Sequence, residues 1–509
     1  MLQKQHAFIG SNLSGPLLGK AVGTGSRRSV SATVAAGILY TALALPPLLF
    51  GSREPTTIAA WCALLGFGLV VAPLKRLEHG HWLVLGGIAF VCLCFGFVLH
   101  EQLSDHPWIA PFNPIWGKAS QALGRELTPS VSVVRGEPLF ALGHPLANVL
   151  ALVLGIIVGV DSDRARRGMR VMAWAGAGYA IYGILALVFD PTEILWREKT
   201  AYFGNLTATF INRNTAACYF GSCSVVWLVL LMSAVRRNLP PGPIDWKRVP
   251  ERLLRRTQMD VLVRFVMLFV CLSAMFMTDS RAGVLMSLTM MIVAFILFFG
   301  RDLSWHGIAV ALAGCSVAGL LLFQVFGGRI GVRIDALGLS DAGRLSVYRS
   351  TLRIIADNPW FGTGLGTFAS AFPPYRSADI SMWGVWGIGH STPLEFASEM
   401  GLPLTAVVAL AWTAGFALLA RALRGRRAAM VVPLSAMMVA LVGLLHSSID
   451  FSLQIAGYSI VVFALIGLGL SQAVRTPSFA SSTNGSSEAS GDISVNSKSA
   501  TGASSPRRA

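Results

Sequence analysis

The feature that most constrains this chain is a succession of apolar segments, each of roughly 17 to 21 residues, the length that crosses a bilayer core as a helix. They fall near 32–51, 57–74, 81–99, 143–160, 171–189 and 215–235, and again near 262–278, 282–300, 306–326, 402–420, 429–447 and 453–471. In hydrocarbon no water is present to satisfy the backbone, so each segment must form its hydrogen bonds internally. The pattern predicts an all-α polytopic membrane protein of about 12 transmembrane helices. Of the 509 residues 54% are hydrophobic and only 13% charged, against about 25% charged in soluble domains.

The net charge of +16 raises the question of nucleic acid, but the positions of the basic residues argue otherwise. They concentrate in alternate short loops: Arg164, Arg166 and Arg167 in one, Arg421, Arg424, Arg426 and Arg427 in another, and a third group between Arg236 and Arg264. That is the pattern by which arginines fix topology, so no nucleic-acid partner is expected and both termini are placed in the cytoplasm. Residues 1–31 read as a cytoplasmic tail ending in a basic stretch at Arg27 and Arg28, followed by an uncleaved first helix. Residues 32–471 form the expected transmembrane domain. Residues 472–509 are rich in Ser, Gly and Asn and read as a disordered cytoplasmic tail. All seven cysteines lie within apolar segments without metal-type spacing, which suits core packing.

The same orientation leaves two long outer loops, about 100–142 and 327–401, where an active site is expected. Arginines on that side work against topology and need another reason. Arg281 follows Asp279 and Ser280 at a sharp turn between two spans; it suits an anion site, or a snorkelling side chain paired with Asp279. Further on, Leu345, Tyr348, Leu352 and Ile355 recur at helical spacing and predict an amphipathic helix. Arg344 stands in its first turn, where backbone N–H groups also favour a phosphate, while Arg349 and Arg353 lie on a polar face. The stretch from Asn358 to Gly366 is glycine-rich but has neither the strand nor the lysine of a nucleotide loop, so a tight turn is expected.

Thr392, Pro393 and Glu395 read as an N-cap, a first-turn proline and a capping-box glutamate. His390, just ahead of them, suits a general base for a hydroxyl, or a plain hydrogen-bonding role. The same two readings hold for His446 and Asp450. Asn212, Arg213 and Asn214 place two amides around a guanidinium, which suits sugar hydroxyls or phosphate and equally a capped helix start.

Together these segments resemble the O-antigen ligase and O-antigen polymerase superfamily of bacterial envelope glycosyltransferases. The resemblance is carried by Thr209 to Asn214, by Ser280, Arg281 and Gly283, by Gly343 and Arg344 followed by Asn358, Pro359, Gly362 and Gly364, and by His390 ahead of Leu394, Glu395, Glu399 and Gly401. It covers about 200–455. It implies a GT-C type fold of lipid-linked glycosyltransferases with a large periplasmic loop. It also implies metal-independent, cofactor-free transfer of a glycan from an undecaprenyl-diphosphate donor to an acceptor hydroxyl on the periplasmic side of the inner membrane. The acceptor would be lipid A-core for a ligase, or a second lipid-linked glycan for an O-antigen or exopolysaccharide polymerase. Carried over by motif, Arg281 and Arg344 would hold the donor diphosphate, His390 would activate the acceptor, and Asn212, Arg213, Asn214 and Glu395 would bind substrate. Ser391 departs from the pattern, since many relatives have asparagine there. A twelve-span transporter is the main reading from another class, suggested by the basic loop that divides the spans six and six; a non-catalytic scaffold of the same pathway is a third.

Overall fold

The computed structural model describes residues 30–238, 259–301, 342–380 and 386–475, with the isolated positions 309 and 314. Its helices, in chain order, are α1 (Val30–Ala44), α2 (Pro55–Val71), α3 (His79–Leu103), α4 (Ile115–Leu123), α5 (Glu137–Ala141), α6 (Gly143–Gly159), α7 (Ser162–Phe189) and α8 (Arg213–Arg237). After them come α9 (Met259–Phe276), α10 (Arg281–Phe299), α11 (Ala342–Asp357), α12 (Phe368–Ala371), α13 (Thr392–Met400), α14 (Leu402–Ala422), α15 (Arg427–Ser447) and α16 (Ala456–Val474). A two-residue hairpin, β1 (Glu193–Ile194) against antiparallel β2 (Arg197–Glu198), is the only sheet among the described residues.

This is an all-α polytopic membrane protein. Among the described residues nine helices are long and apolar enough to cross a bilayer, and α1 and α2 are shorter apolar helices. Eleven of the twelve expected spans thus coincide with a described helix. The expected span at 306–326, apart from positions 309 and 314, lies outside the described residues, as do the expected tails apart from 30–31 and 472–475; α1 starts within the first tail and α16 runs on to Val474, so the second tail begins later than expected. The described chain breaks off after Arg301 at one end of the bundle and resumes at Ala342 at the other, where Arg344 reaches Ile449.

Several boundaries differ from those expected. The first span stops at Ala44 instead of 51, because Pro46 and Pro47 break the helix and the chain folds into a 3-10 turn, Phe50–Ser52. By contrast α7 starts at Ser162, nine residues before the expected edge, so the arginines of the basic loop ride on its first turns. Asp161 caps it, its side chain accepting from the N–H groups of Asp163 and Arg164.

The bundle is built around α8 and α16, its most buried spans. Small residues let the backbones close in: a Cβ on Gly155 of α6 would stand 2.5 Å from the Ala464 carbonyl of α16, and one on Gly467 of α16 would stand 2.3 Å from the Leu152 carbonyl. On the other side of α8, a Cβ on Gly283 of α10 would meet Ala217 at 2.5 Å. That approach brings the starts of α8 and α10 side by side. The α3 and α14 spans lie at the edge and are mostly exposed, with Leu83, Phe90, Leu93 and Leu410 facing outward as lipid-facing residues do.

Because the helices alternate in direction, the turns preceding α8, α10 and α13 and the turn after α15 gather at one end of the bundle. The arginine-rich turns gather at the other, where Arg301 donates to the Leu423, Arg424 and Gly425 carbonyls and Arg166 to that of Ala428. At the first end the loop after α3 is pinned by Glu101, whose carboxylate accepts from Trp108, Ile109 and Ala110.

Candidate functional site

The start of α8 organises this end of the bundle. Asn212 is its N-cap: the side-chain oxygen accepts from the N–H of Asn214 at 2.6 Å and of Thr215 at 3.2 Å. The capped-start reading therefore accounts for Asn212. The next two residues point their side chains to different neighbours, as successive helical positions must. Arg213 donates to the Asn205 side-chain oxygen at 3.3 Å and lies 5.3 Å over the Tyr202 ring. The Asn214 amide donates to the Asp450 carboxylate at 2.5 Å.

Asn205 connects Arg213 to Asp279. The Asp279 carboxylate, 5% exposed, accepts from the Asn205 amide at 2.5 Å. Asp279 has φ +55, a left-handed conformation that aspartate tolerates better than most residues. It turns the chain sharply into Ser280, the N-cap of α10, whose hydroxyl accepts from Gly283 N–H. Arg281 is then the first residue of α10. Buried Lys199 donates to the Asn205 carbonyl at 3.2 Å; its burial lowers its pKa, with Asp190 opposing.

The second cluster converges on Asp450, in the turn between α15 and α16. This carboxylate is 1% exposed and has charged or polar groups from three other segments around it. Arg344 of α11 places one guanidinium nitrogen 3.8 Å from it and donates through another to the Ile449 carbonyl at 3.0 Å. His390 turns Nδ1 toward it at 3.5 Å, and Asn214 donates from α8. Burial pushes the Asp450 carboxyl up, but His390, His446 and Arg344 outweigh that and hold it below the usual carboxylate value. Its backbone carbonyl accepts from Thr392 N–H, which docks the start of α13 on the same turn.

His390 is held on every side. Its φ is +52; its carbonyl accepts from the Tyr348 hydroxyl at 2.9 Å; and its ring lies edge-on between Trp386 at 5.6 Å and Phe451 at 5.4 Å. The preceding residue is fixed as well, since Gly389 N–H donates to Glu395 at 2.7 Å. Glu395 therefore holds the His390 turn and forms no capping box. The N-cap of α13 is Ser391, one residue earlier than expected and without a side-chain hydrogen bond, so Thr392 is already helical. His446 is buried and bonded to the Ser452 hydroxyl at 3.1 Å, the plainer of its two readings.

Beneath this lies the glycine-rich turn, tight as expected, with positive φ at Gly362, Gly364 and Gly366. A Cβ on Gly362 would stand 2.3 Å from the Glu399 backbone. Glu399, buried on α13, accepts from Phe368 N–H at 2.9 Å. Burial, reinforced by the neighbouring charge of Glu395, pushes its pKa well up. The Gln102 side chain of α3 closes the floor, donating to the Phe361 and Glu399 carbonyls at 2.7 and 2.8 Å and accepting from Leu365 N–H.

The α11 helix forms where expected, but with a different buried face. Val347, Ser350, Thr351 and Ile354 point inward, whereas Leu345 and Leu352 are 47% and 53% exposed. The reason is tertiary: Val347 and Ile354 complete a small core with Phe368, Phe372 and Ile380. Arg349 and Arg353 are exposed, as a polar face requires. Among the described residues no three His, Cys, Asp or Glu side chains are grouped to hold a metal ion.

The site thus draws Arg344, His390 and Asn214 of the expected residues to one carboxylate, with Arg213 and Arg281 at the neighbouring Asp279 turn. Asp450 was read from the sequence with the same two meanings as His446, and only the structure separates them. The available signal was a carboxylate in a short apolar turn at the same end as the arginines.

Residues 266–409 match the family model Wzy_C, described as O-antigen ligase. Over that stretch the chain is similar to the O-antigen ligase superfamily. The matched stretch contains Arg281, Arg344, His390 and Glu395, whereas Asn205, Arg213, Asn214 and Asp450 lie outside it. No curated protein matches the chain. The family supports a glycosyltransferase-like ligase or polymerase function on lipid-linked glycans.

Proposed function

We propose that the chain transfers a glycan from an undecaprenyl-diphosphate donor to an acceptor hydroxyl at the periplasmic face of the inner membrane, without a metal, and that lipid A-core is the acceptor. One observation supports this above the rest: Arg344, His390 and Asn214, from three separate segments, surround the single carboxylate of Asp450. The arrangement combines a cationic anchor and a base with a shared orienting group.

In this reading the acceptor oxygen attacks the anomeric carbon of the donor sugar. The bond from that carbon to the diphosphate oxygen breaks, and its electron pair leaves with the lipid diphosphate. His390 takes the acceptor proton. With Nδ1 turned to Asp450, the tautomer carrying the proton on Nδ1 is favoured and Nε2 is the accepting nitrogen. The distance of 3.5 Å is longer than a well-made hydrogen bond; such contacts tighten when substrate binds. Arg281 and Arg344 meet the charge that builds on the diphosphate. Guanidinium stays ionised and offers planar pairs of donors, so it stabilises such a leaving group at a site shielded from bulk water. Arg213, at the Asp279 turn, and Asn214, at Asp450, suit sugar hydroxyls.

The test is a reconstituted reaction in lipid with EDTA present, an undecaprenyl-diphosphate oligosaccharide as donor, and either lipid A-core or a second donor molecule as acceptor. Glycan on lipid A-core supports the ligase reading, and a ladder on undecaprenyl diphosphate replaces it with a polymerase. No transfer to either, by protein that binds the donor, removes both.

A further inference from the structure

Away from this site, a groove of about 800 Å³ runs along the side of the bundle between α7 and the connection from α1 to α2. One end is marked by Arg167 and Arg170; the wall then follows one stripe of α7 through Trp174, Gly178 and Tyr182, with Leu45 opposite. Those α7 positions are three or four residues apart, so they share a face. The far end is closed where Leu195 N–H donates to the Tyr182 hydroxyl at 2.7 Å.

We infer that this groove binds one anionic glycerophospholipid of the surrounding leaflet, with its phosphate at Arg167 and Arg170 and an acyl chain along α7. Charge complementarity argues for the headgroup. Both arginines are exposed and stand just before the apolar stretch of α7, and basic residues in that position flank the headgroups of a bilayer. Asp161 caps the helix and lies 3.9 Å from Arg76, Asp163 sits in the first turn, and among the described residues neither forms an ion pair with Arg167 or Arg170. The length argues for the chain. From Val171 to Tyr182 the helix rises about 16 Å, roughly half of the ~30 Å hydrocarbon core, which is one leaflet. Gly178 deepens the groove, since a Cβ there would meet nothing within 4 Å. The inference does not depend on the proposed transfer reaction.

The test is native mass spectrometry of the full chain, delipidated in detergent and titrated with phosphatidylglycerol or with phosphatidylcholine of the same acyl chains. The wild type is expected to take up one phosphatidylglycerol in preference to phosphatidylcholine. Arg167→Gln with Arg170→Gln should weaken that binding by about ten- to thirtyfold and abolish the preference. Gly178→Phe, which projects into the open groove, should displace both lipids while the melting temperature is kept. Equal uptake of the two lipids by the wild type overturns the inference, as does unchanged phosphatidylglycerol binding in the arginine double variant. A co-purified polyprenyl phosphate in place of a glycerophospholipid overturns it too.

Discussion

The Asn214 amide donates to the Asp450 carboxylate across 2.5 Å, joining the start of α8 to the turn between α15 and α16. Arg213, the preceding residue, belongs through Asn205 to the Asp279 turn. One helix start therefore sets the spacing between the two clusters, and a displaced α8 would alter both at once.

Asp450→Asn is expected to lower the transfer rate at least about a hundredfold, because the amide cannot orient the histidine or neutralise the guanidinium. Combined with His390→Asn, the two losses should be non-additive, with a coupling of about 0.5–3 kcal/mol. Initial rates of the four proteins measure this. Additive losses would mean that the two side chains act separately.

Arg281→Ala and Arg344→Ala should each nearly abolish transfer, and Lys at either position should rescue poorly. Arg344 already reaches the Ile449 carbonyl with one nitrogen and approaches Asp450 with another. A lysine offers one nitrogen and no planar fork. Transfer assays on protein of matched abundance decide it, and full activity in both alanine variants would sink the diphosphate assignment.

His390 has a left-handed backbone, so alanine there adds strain to the loss of the ring. Asparagine tolerates that conformation and isolates the chemical effect. His390→Asn should fold like the wild type yet lose about 10²- to 10⁴-fold in rate. An unchanged rate would make His390 structural.

Glu399 should make the protein less stable as pH rises. Its pKa is raised in the fold, so the folded state holds the proton more tightly than the unfolded chain does. That contribution is complete below the ordinary glutamate value and is lost as pH climbs through the raised value, to about 8. Melting temperatures taken from about pH 5 to about pH 9 should fall in the wild type and fall less in Glu399→Gln. Parallel curves for the two proteins would show that Glu399 stays ionised throughout.

The spans were legible because apolar length is a local property that a bilayer selects directly. Even there α1 was overrun: Leu48, Leu49 and Phe50 continue the apolar pattern past Pro46 and Pro47, which break the helix. Arg344 in the first turn of α11 was readable for the same local reason, whereas the inward face of α11 was not. Leu345 and Leu352 are the apolar residues, but Val347 and Ile354 have the partners. Asp450 shows the limit most clearly. Its neighbours are up to 236 positions away in sequence, and only the meeting of four helix ends tells it from His446.

The amide of Gln102 has a consequence for how this protein can be divided. It comes from α3, far outside the stretch that matches the family model, yet it ties together the turn at Phe361 and Leu365 and the end of α13. A graft of 266–409 onto a foreign bundle would carry the arginines and the histidine but leave three backbone groups unanswered beneath them. The smallest piece that can be exchanged between such proteins therefore includes the α3 strut as well as the loop it supports.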